Sequence, residues 1–299
     1  MKQGWLWQVS VAISPDAEEA VAELLSGIFS QSASIYVEAE TQATLATVYV
    51  QNRCGGSGVK RAKLKAGLDQ IKRCGIDLGP GTIFVRKLRR KQWAESWKRH
   101  FKPMDLGPAL LIKPSWSRRQ PKRNQAVMVL DPGLSFGTGQ HPTTRFCLDQ
   151  LVAFRQRDRK QSFLDLGTGS GILAIAAAKL GYRPVHALDL DPQAVRVART
   201  NTKRNRVSGT VRLICQDLTQ LPVTSAHKYS LICANLIYDL LLSEKGRILG
   251  RLNPKGTLVL AGVLRSQFTA LRQAYEWEGM RLVARRVENE WASGAFVVG

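Results

Sequence analysis

The sequence predicts an α/β protein in two parts. A small ferredoxin-like α+β domain is expected over residues 1–90, and a doubly wound, seven-stranded, Rossmann-like sheet over residues 126–299. Three observations lead there. The first ninety residues read as strand, helix, strand, strand, helix, strand. From residue 126 onward, strand and helix patterns alternate. Between the two lie residues 91–125, a Trp-bearing helix and a polar loop that read as a linker.

In the first domain, residues 5–13 alternate like a strand. Ser14-Pro15-Asp16 supplies a helix start, with Ser14 as N-cap and Pro15 at the first helical position. Residues 17–29 then place Val21, Leu24, Leu25 and Ile28 on one face. Residues 34–37 and 45–50 are β-branched or apolar and are separated by polar residues, which reads as a hairpin. Gly55-Gly56-Ser57-Gly58 breaks the chain. Residues 60–74 form a basic amphipathic helix with Leu64, Leu68 and Ile71 inward, and residues 82–88 close the domain as a strand.

In the linker, Trp93, Trp97 and Phe101 recur at i, i+4 and i+8, a stripe for packing rather than for a ligand. Pro103 ends that helix, and the stretch to residue 124 reads as loop. The second domain is expected to run strand 127–130, helix 143–154, strand 163–166, helix 172–180, strand 185–190, helix 194–204 and strand 211–215. Strands 230–234 and 257–262, helices 240–249 and 266–278, and a pair near 280–287 and 295–298 complete it. That last pair is a hairpin, so the sheet cannot be wholly parallel.

Composition narrows the function. The 299 residues are 44% hydrophobic, enough for real cores. No apolar run reaches the roughly 18 residues of a membrane span. The first ten residues carry no small-residue cleavage pattern, so no secretory signal is expected and the protein reads as cytoplasmic. Five scattered Cys form no Cys-x-x-Cys pair, which excludes a zinc ribbon and a disulfide framework; no metal site is expected. Cys54 falls in a polar loop, and the other four read as buried small hydrophobes. The net charge of +21 is uneven: residues 1–50 carry −5, residues 51–125 carry +16 and the remainder +10. A basic block of that density is either a solvated face with a tether or a contact for RNA or an RNA-rich particle, whose phosphates clustered Lys and Arg neutralise.

The chemistry concentrates after residue 130. Asp165-Leu166-Gly167-Thr168-Gly169-Ser170-Gly171 follows a buried strand and opens a helix, where free N–H groups and close backbone approach suit a nucleotide-like ligand. The sixth position of a dinucleotide fingerprint is Ile172 rather than Gly. A nucleoside-sulfonium ligand fits better, its ammonium held by Asp165. Asp189, about twenty residues on at the next strand end, can accept bonds from two ribose hydroxyls. Asp191, before Pro192, reads as a helix cap. Asp217, after the following strand, can read an adenine amino group or cap a turn. Together these strand ends form an S-adenosylmethionine constellation. Asn235, in Cys233-Ala234-Asn235-Leu236, ends the fourth strand and offers a carbonyl to a substrate amine, which makes it the catalytic candidate. Asn-Leu-Ile-Tyr is not the Asn/Asp-Pro-Pro-aromatic of base-amino methyltransferases, so a nucleobase substrate is disfavoured.

Residues 131–144 are Gly-rich and lack the Lys of a phosphate loop. They read as a lid over a bound cofactor, with the Thr143 and Thr144 hydroxyls at the helix start. His141 is a candidate site residue, a turn histidine being the other reading.

These residues resemble the PrmA family, the methyltransferases of the eleventh large-subunit ribosomal protein. The resemblance runs over most of the chain. Its motifs are Trp93-Ala94-Glu95-Ser96-Trp97, the lid from 131 to 144, the glycine turn 165–171, Asp189-Leu190-Asp191-Pro192, Ala234-Asn235-Leu236 and Glu290-Trp291. The resemblance implies that the first domain recognises the ribosomal protein. It implies that the second binds S-adenosylmethionine through Thr144, Gly167, Asp189 and Asn235, with Asp165, Gly169, Gly171 and Asp217 around them. Phe136, Gly137, Thr138 and His141 fall to the lid and substrate. The implied reaction methylates Lys ε-amino and N-terminal α-amino groups, and a monomer is expected. The alternatives are methylation of another protein or of ribosomal RNA, and a non-catalytic ribosome-assembly protein that kept the fold.

Overall fold

The structure, a computed structural model, describes residues 5–29, 31, 33–37, 44–50, 58–89, 102–131, 141–156 and 158–299. The linker helix expected at 92–101, Cys54 and the lid core 132–140, with Phe136, Gly137 and Thr138, lie outside them. The chain divides into two compact units, residues 1–100 and 101–299.

The first unit contains β1 (Trp5–Ile13), α1 (Glu18–Phe29), β2 (Ser34–Val37), β3 (Thr44–Val50), α2 (Gly58–Arg73) and β4 (Ile83–Arg89). Its sheet order is β2-β3-β1-β4, with every neighbouring pair antiparallel, which is the ferredoxin-like arrangement. Val9, Val11 and Ile13 of β1, and Ala46 and Val48 of β3, face Val21 and Leu25 of α1 and Leu64 and Leu68 of α2. One local expectation fails. Ser14 does not cap α1 with its side chain, because its hydroxyl donates to the Asp77 carbonyl, and the helix opens through a 3-10 turn at Pro15–Ala17.

The second unit opens on a surprise. Residues 103–124, expected as loop, contain β5 (Met104–Leu106) and β6 (Leu110–Lys113), which join β7 (Ala126–Val129) in a three-stranded sheet. The expected strand at 127–130 therefore pairs with β6 rather than with the large sheet. Burial explains it: Leu110 and Ile112 are too apolar to leave in water and pack into the unit's core, and Leu111 between them is buried as well.

The elements that follow are α3 (Pro142–Ala153), β8 (Phe163–Leu166), α4 (Ile172–Lys179), β9 (Val185–Asp189), α5 (Pro192–Arg204), β10 (Val211–Cys215) and β11 (Tyr229–Asn235). Then come α6 (Tyr238–Ser243), α7 (Lys245–Leu249), β12 (Leu252–Leu264), α8 (Phe268–Glu276), β13 (Met280–Glu288) and β14 (Trp291–Val298). The helix expected at 240–249 is thus split in two. The seven-stranded sheet runs β10-β9-β8-β11-β12-β14-β13, with only β14 antiparallel to its neighbours. Strand order reverses between β8 and β11, and the crevice outside the carboxyl ends at such a reversal is where open α/β sheets bind ligands.

Side-chain alternation gives the sheet two cores. Phe163, Leu231, Cys233 and Val259 face α3 and α4, while Leu164, Leu166, Ile232, Leu258 and Leu260 face the opposite helices. Of the cysteines expected inside, Cys147 and Cys233 are buried, but Cys74 and Cys215 are exposed. Cys74 lies past the end of α2, and Cys215 is on the edge strand β10, so neither is covered by a second layer. Among the described residues, no helix is long and apolar enough to cross a membrane, and no cluster of His, Cys, Asp or Glu could hold a metal.

Candidate active site

Parallel register brings the sequence-selected residues to one edge. Asp165 on β8 lies opposite Ala187 of β9 and Cys233 of β11, and Asp189 of β9 lies opposite Cys215 of β10. The turn after β8 then folds back onto β9. Gly167 N–H and Thr168 N–H both donate to the Leu188 carbonyl at 3.0 Å, and Gly169 N–H donates to Asp189 Oδ2 at 2.8 Å. From α5, Asn201 Nδ2 donates to the Ser170 carbonyl at 2.8 Å.

Two glycines show why this turn excludes side chains. Gly167 has φ +75°, and a Cβ there would sit 2.5 Å from Leu236 Cδ2. Gly171 has φ +82°, and its Cβ would press within 3.0 Å of Ala198 Cβ. The turn is left-handed where only glycine is unstrained, and its helix-side surface is held against α5.

Asp165 is 0% exposed. Its Oδ2 accepts the Thr168 hydroxyl at 2.7 Å. Burial pushes the carboxyl up to about 7, against the lowering bonds from Thr168 and the Ala174 backbone, with the Asp189 charge adding to the rise. Among the described residues, only two buried side-chain polar atoms lack a hydrogen-bond partner: Asp165 Oδ1 and Thr144 Oγ1. Both belong to residues selected from sequence as cofactor contacts. Orphaned polar atoms cost about 1–3 kcal/mol each when buried, so each of these two, one near the end of β8 and one in the first turn of α3, calls for a polar partner. S-adenosylmethionine, with an ammonium, a carboxylate and ribose hydroxyls, has the groups to satisfy them.

Asp189 is half-buried, and its oxygens accept from Gly169 N–H and, at 3.0 Å, from Asp191 N–H. Each keeps a lone pair for a further donor. Asp191 caps α5 through Gln193 N–H at 2.8 Å, as its place before Pro192 predicts. Asp217 caps the turn after β10: it accepts Thr219 N–H at 2.8 Å, and its bonds to Thr219 lower its pKa.

Asn235 ends β11, half-buried, with a side-chain amide that no described residue engages. His141 is the N-cap of α3; its Nδ1 lies 2.7 Å from Thr143 Oγ1, and its ring meets Trp291 edge-on at 5.0 Å. Burial lowers its pKa, against the raising charges of Glu290 and Glu288. The turn reading of His141 describes these contacts. Cys233, beside Asp165, has its thiol pKa raised by burial and by the Cys147 thiol, so it stays protonated and offers no nucleophile.

Sequence reasoning missed three residues here. Gly262 of β12 has φ +85°, and a Cβ there would stand 2.6 Å from the Leu236 carbonyl and 3.0 Å from Asn235 Oδ1, so it makes room for the Asn235 side chain. Its signal was a lone glycine in a long apolar strand. Leu190 and Ile237 are 67% and 68% exposed beside Asp189 and Asn235, large apolar surfaces at the crevice rim. Their signal was an apolar residue one or two places after each polar strand end.

The sequence profile described as "Ribosomal protein L11 methyltransferase (PrmA)" matches residues 5–297. The chain belongs to the ribosomal protein L11 methyltransferase family. As a member of it, the chain is a methyltransferase dependent on S-adenosylmethionine. The ribosomal protein L11 methyltransferase of Trichlorobacter lovleyi is 41% identical over 211 residues, covering 69% of this chain and 68% of its own. That of Streptococcus equi subsp. zooepidemicus is 29% identical over 306 residues, covering 95% and 94%. The crystal structure of a ribosomal protein L11 methylase from Lactobacillus delbrueckii subsp. bulgaricus superposes with a TM-score of 0.58 at 27% identity, covering 67% of this chain and 98% of that one.

Proposed function

We propose that this ribosomal protein L11 methyltransferase transfers methyl groups from S-adenosylmethionine to Lys ε-amino and N-terminal α-amino groups of ribosomal protein L11. The observation that carries the reading is the extent of the family match, which runs through both units and so includes the N-terminal one assigned to substrate recognition. We place the enzyme in the cytoplasm, acting as a monomer.

When bound, the cofactor supplies an electrophilic sulfonium methyl. The chain's residues do the rest. Asp165 Oδ1 and Thr144 Oγ1 take the cofactor's amino-acid end, satisfying the two orphaned atoms. Gly167, Gly169 and Gly171 let the backbone approach, and Asp189 accepts the ribose hydroxyls. Leu190 covers the adenine, with Asp217 at its far edge. Asn235 accepts an N–H bond from the substrate amine and so aims its lone pair. A free Lys amine titrates near ~10.4 and must reach the site neutral; Leu236 and Ile237 disfavour the ammonium form by desolvation. No general base is assigned: His141 Nδ1 is engaged by Thr143, and Asp165 is committed to the cofactor's amino-acid end. Water takes the proton. Phe136, Gly137, Thr138 and His141 stay with the lid and substrate, and the basic region 51–125 is assigned to ribosomal RNA.

The test incubates the purified enzyme with tritiated cofactor, isolated L11 and ribosomal RNA, then separates protein from RNA on a gel and weighs the intact protein. Label in L11, with mass rising in methyl steps, is the expected result. Label in RNA or in another protein, or no cofactor binding at all, would refute it.

A further inference from the structure

The second unit carries a cationic face that the sequence scatters over two distant segments. In α5 and the residue pair after it, Pro192 to Arg206, there are five Lys or Arg and no carboxylate. Arg196, Arg199 and Lys203 recur at i, i+3 and i+7 and are all exposed, opposite the buried stripe Ala194, Val195, Ala198 and Thr202. The loop between β6 and β7, residues 114–124, holds four more cations and no acid, with Arg118, Lys122 and Arg123 exposed.

The fold joins the two. Asp131 accepts Ser115 N–H at 2.7 Å and Ser115 O–H at 2.9 Å from the loop, and the Arg204 guanidinium at 2.6 Å from the end of α5. Asn205 adds two bonds to Val129, from its N–H at 2.7 Å and to its carbonyl at 2.7 Å. The loop is also held in shape: the Lys113 ammonium donates to the Arg119 carbonyl at 2.7 Å and the Ser117 carbonyl at 3.3 Å, and Arg119 pairs with Asp105. Among the described residues, none of the six exposed cations is ion-paired.

Like charges three and four residues apart destabilise a helix, and α5 has no acid to offset them. We propose that this face, α5 together with the 114–124 loop, binds the phosphate backbone of RNA. It rests on the reading that the substrate is a ribosomal protein, and it adds α5 to the basic region assigned above. A membrane surface is disfavoured because the apolar stripe of α5 is buried, so the helix presents no continuous apolar face to insert. Guanidinium groups dominate the face, and their forked donors match phosphate oxygens.

The experiment measures binding of the full-length enzyme to a fluorescein-labelled, mixed-sequence RNA hairpin across a salt series. It compares wild type with Arg196→Gln/Arg199→Gln/Lys203→Gln and with Arg118→Gln/Lys122→Gln/Arg123→Gln. Each triple variant should bind roughly tenfold or more weakly, and the slope of log affinity against log salt should fall by about 2, as expected for three lost phosphate contacts. Methyl transfer to isolated L11 should be unchanged, so failure of the substrate reading shows separately from failure of this one. If the helix variant does not fold, the loop variant alone decides. Wild-type affinity and slope in both variants would overturn the proposal. So would absence of RNA binding by wild type, or equal binding and equal loss with a labelled polyglutamate of matched charge, which would assign the face to an acidic polypeptide.

Discussion

Two neighbouring strand-to-helix turns, after β8 and after β9, begin alike and end differently. Each follows a parallel strand with an Asp at or next to its last residue and enters a helix. After β8 the acid is buried and pushed up to about 7, and the turn needs left-handed glycines at 167, 169 and 171. After β9 the acid is half-exposed, each oxygen of Asp189 is held by a backbone N–H, and Asp191 with Pro192 makes an ordinary helix entry. The first turn tolerates only glycine and leaves a buried carboxyl oxygen without a partner; the second satisfies its acids with its own backbone. The proposed cofactor edge thus joins one turn that only glycine can make and one ordinary turn, tied by the Gly169–Asp189 bond.

The most damaging way to break the comparison is Gly167→Ala. A methyl 2.5 Å from Leu236 in a left-handed conformation should cost about 2–4 kcal/mol of stability from strain and overpacking together, with cofactor binding lost. Gly209, where a Cβ meets nothing within 4 Å, is the control, and Gly209→Ala should leave chemical denaturation unchanged. Denaturation midpoints that fall equally for both would remove the special status of the first turn.

Asp189→Ala should weaken cofactor binding by about 1.5–3 kcal/mol through loss of charge-assisted bonds, while the fold survives. Calorimetry with unchanged affinity would take Asp189 out of the site.

Asp165 supplies a pH signature that Asp189 should lack. Its folded pKa is raised, so its contribution to stability is present at low pH and is lost as pH climbs through about 7. A cationic cofactor end against Oδ1 favours the ionised form, so affinity should rise by roughly tenfold between pH 6 and pH 8. Asp165→Asn should flatten that profile. A profile equally steep in the variant would place the titrating group elsewhere.

The smallest effect is Asp191→Ala. Loss of the cap should cost about 1 kcal/mol of stability and leave cofactor affinity as it was. A matching fall in affinity would mean that the second turn is as ligand-dependent as the first.

Legibility followed how local each signal was. The glycine turn, the cap at Asp191 and the alternation of strands with helices are set by neighbours in sequence, and all could be read there. The cap at Ser14 misled because its hydroxyl goes to Asp77, sixty-three residues away. Residues 104–113 misled because short strands announce themselves only through the partner that pairs with them; Leu110–Lys113 are a strand because β7 lies alongside. His141 and Asp217 each had two readings in sequence, and only the structure shows the contacts each makes as a cap: the Thr143 and Trp291 neighbours of one, and the Thr219 amide of the other.

Sequence alone determined the family, the two α/β parts and the acids at successive strand ends, because spacing along a strand or helix fixes which side chains share an edge. Tertiary structure alone decided which of those groups are left unsatisfied. Asp165 and Thr144 could be selected from sequence, but only packing buries both and gives one oxygen of each no partner. It also decided that Arg204 and Ser115 meet on Asp131, turning two separate basic segments into one face. Desolvation and charge both depend on distance through space, and that distance is set only when the sheets and helices close on one another.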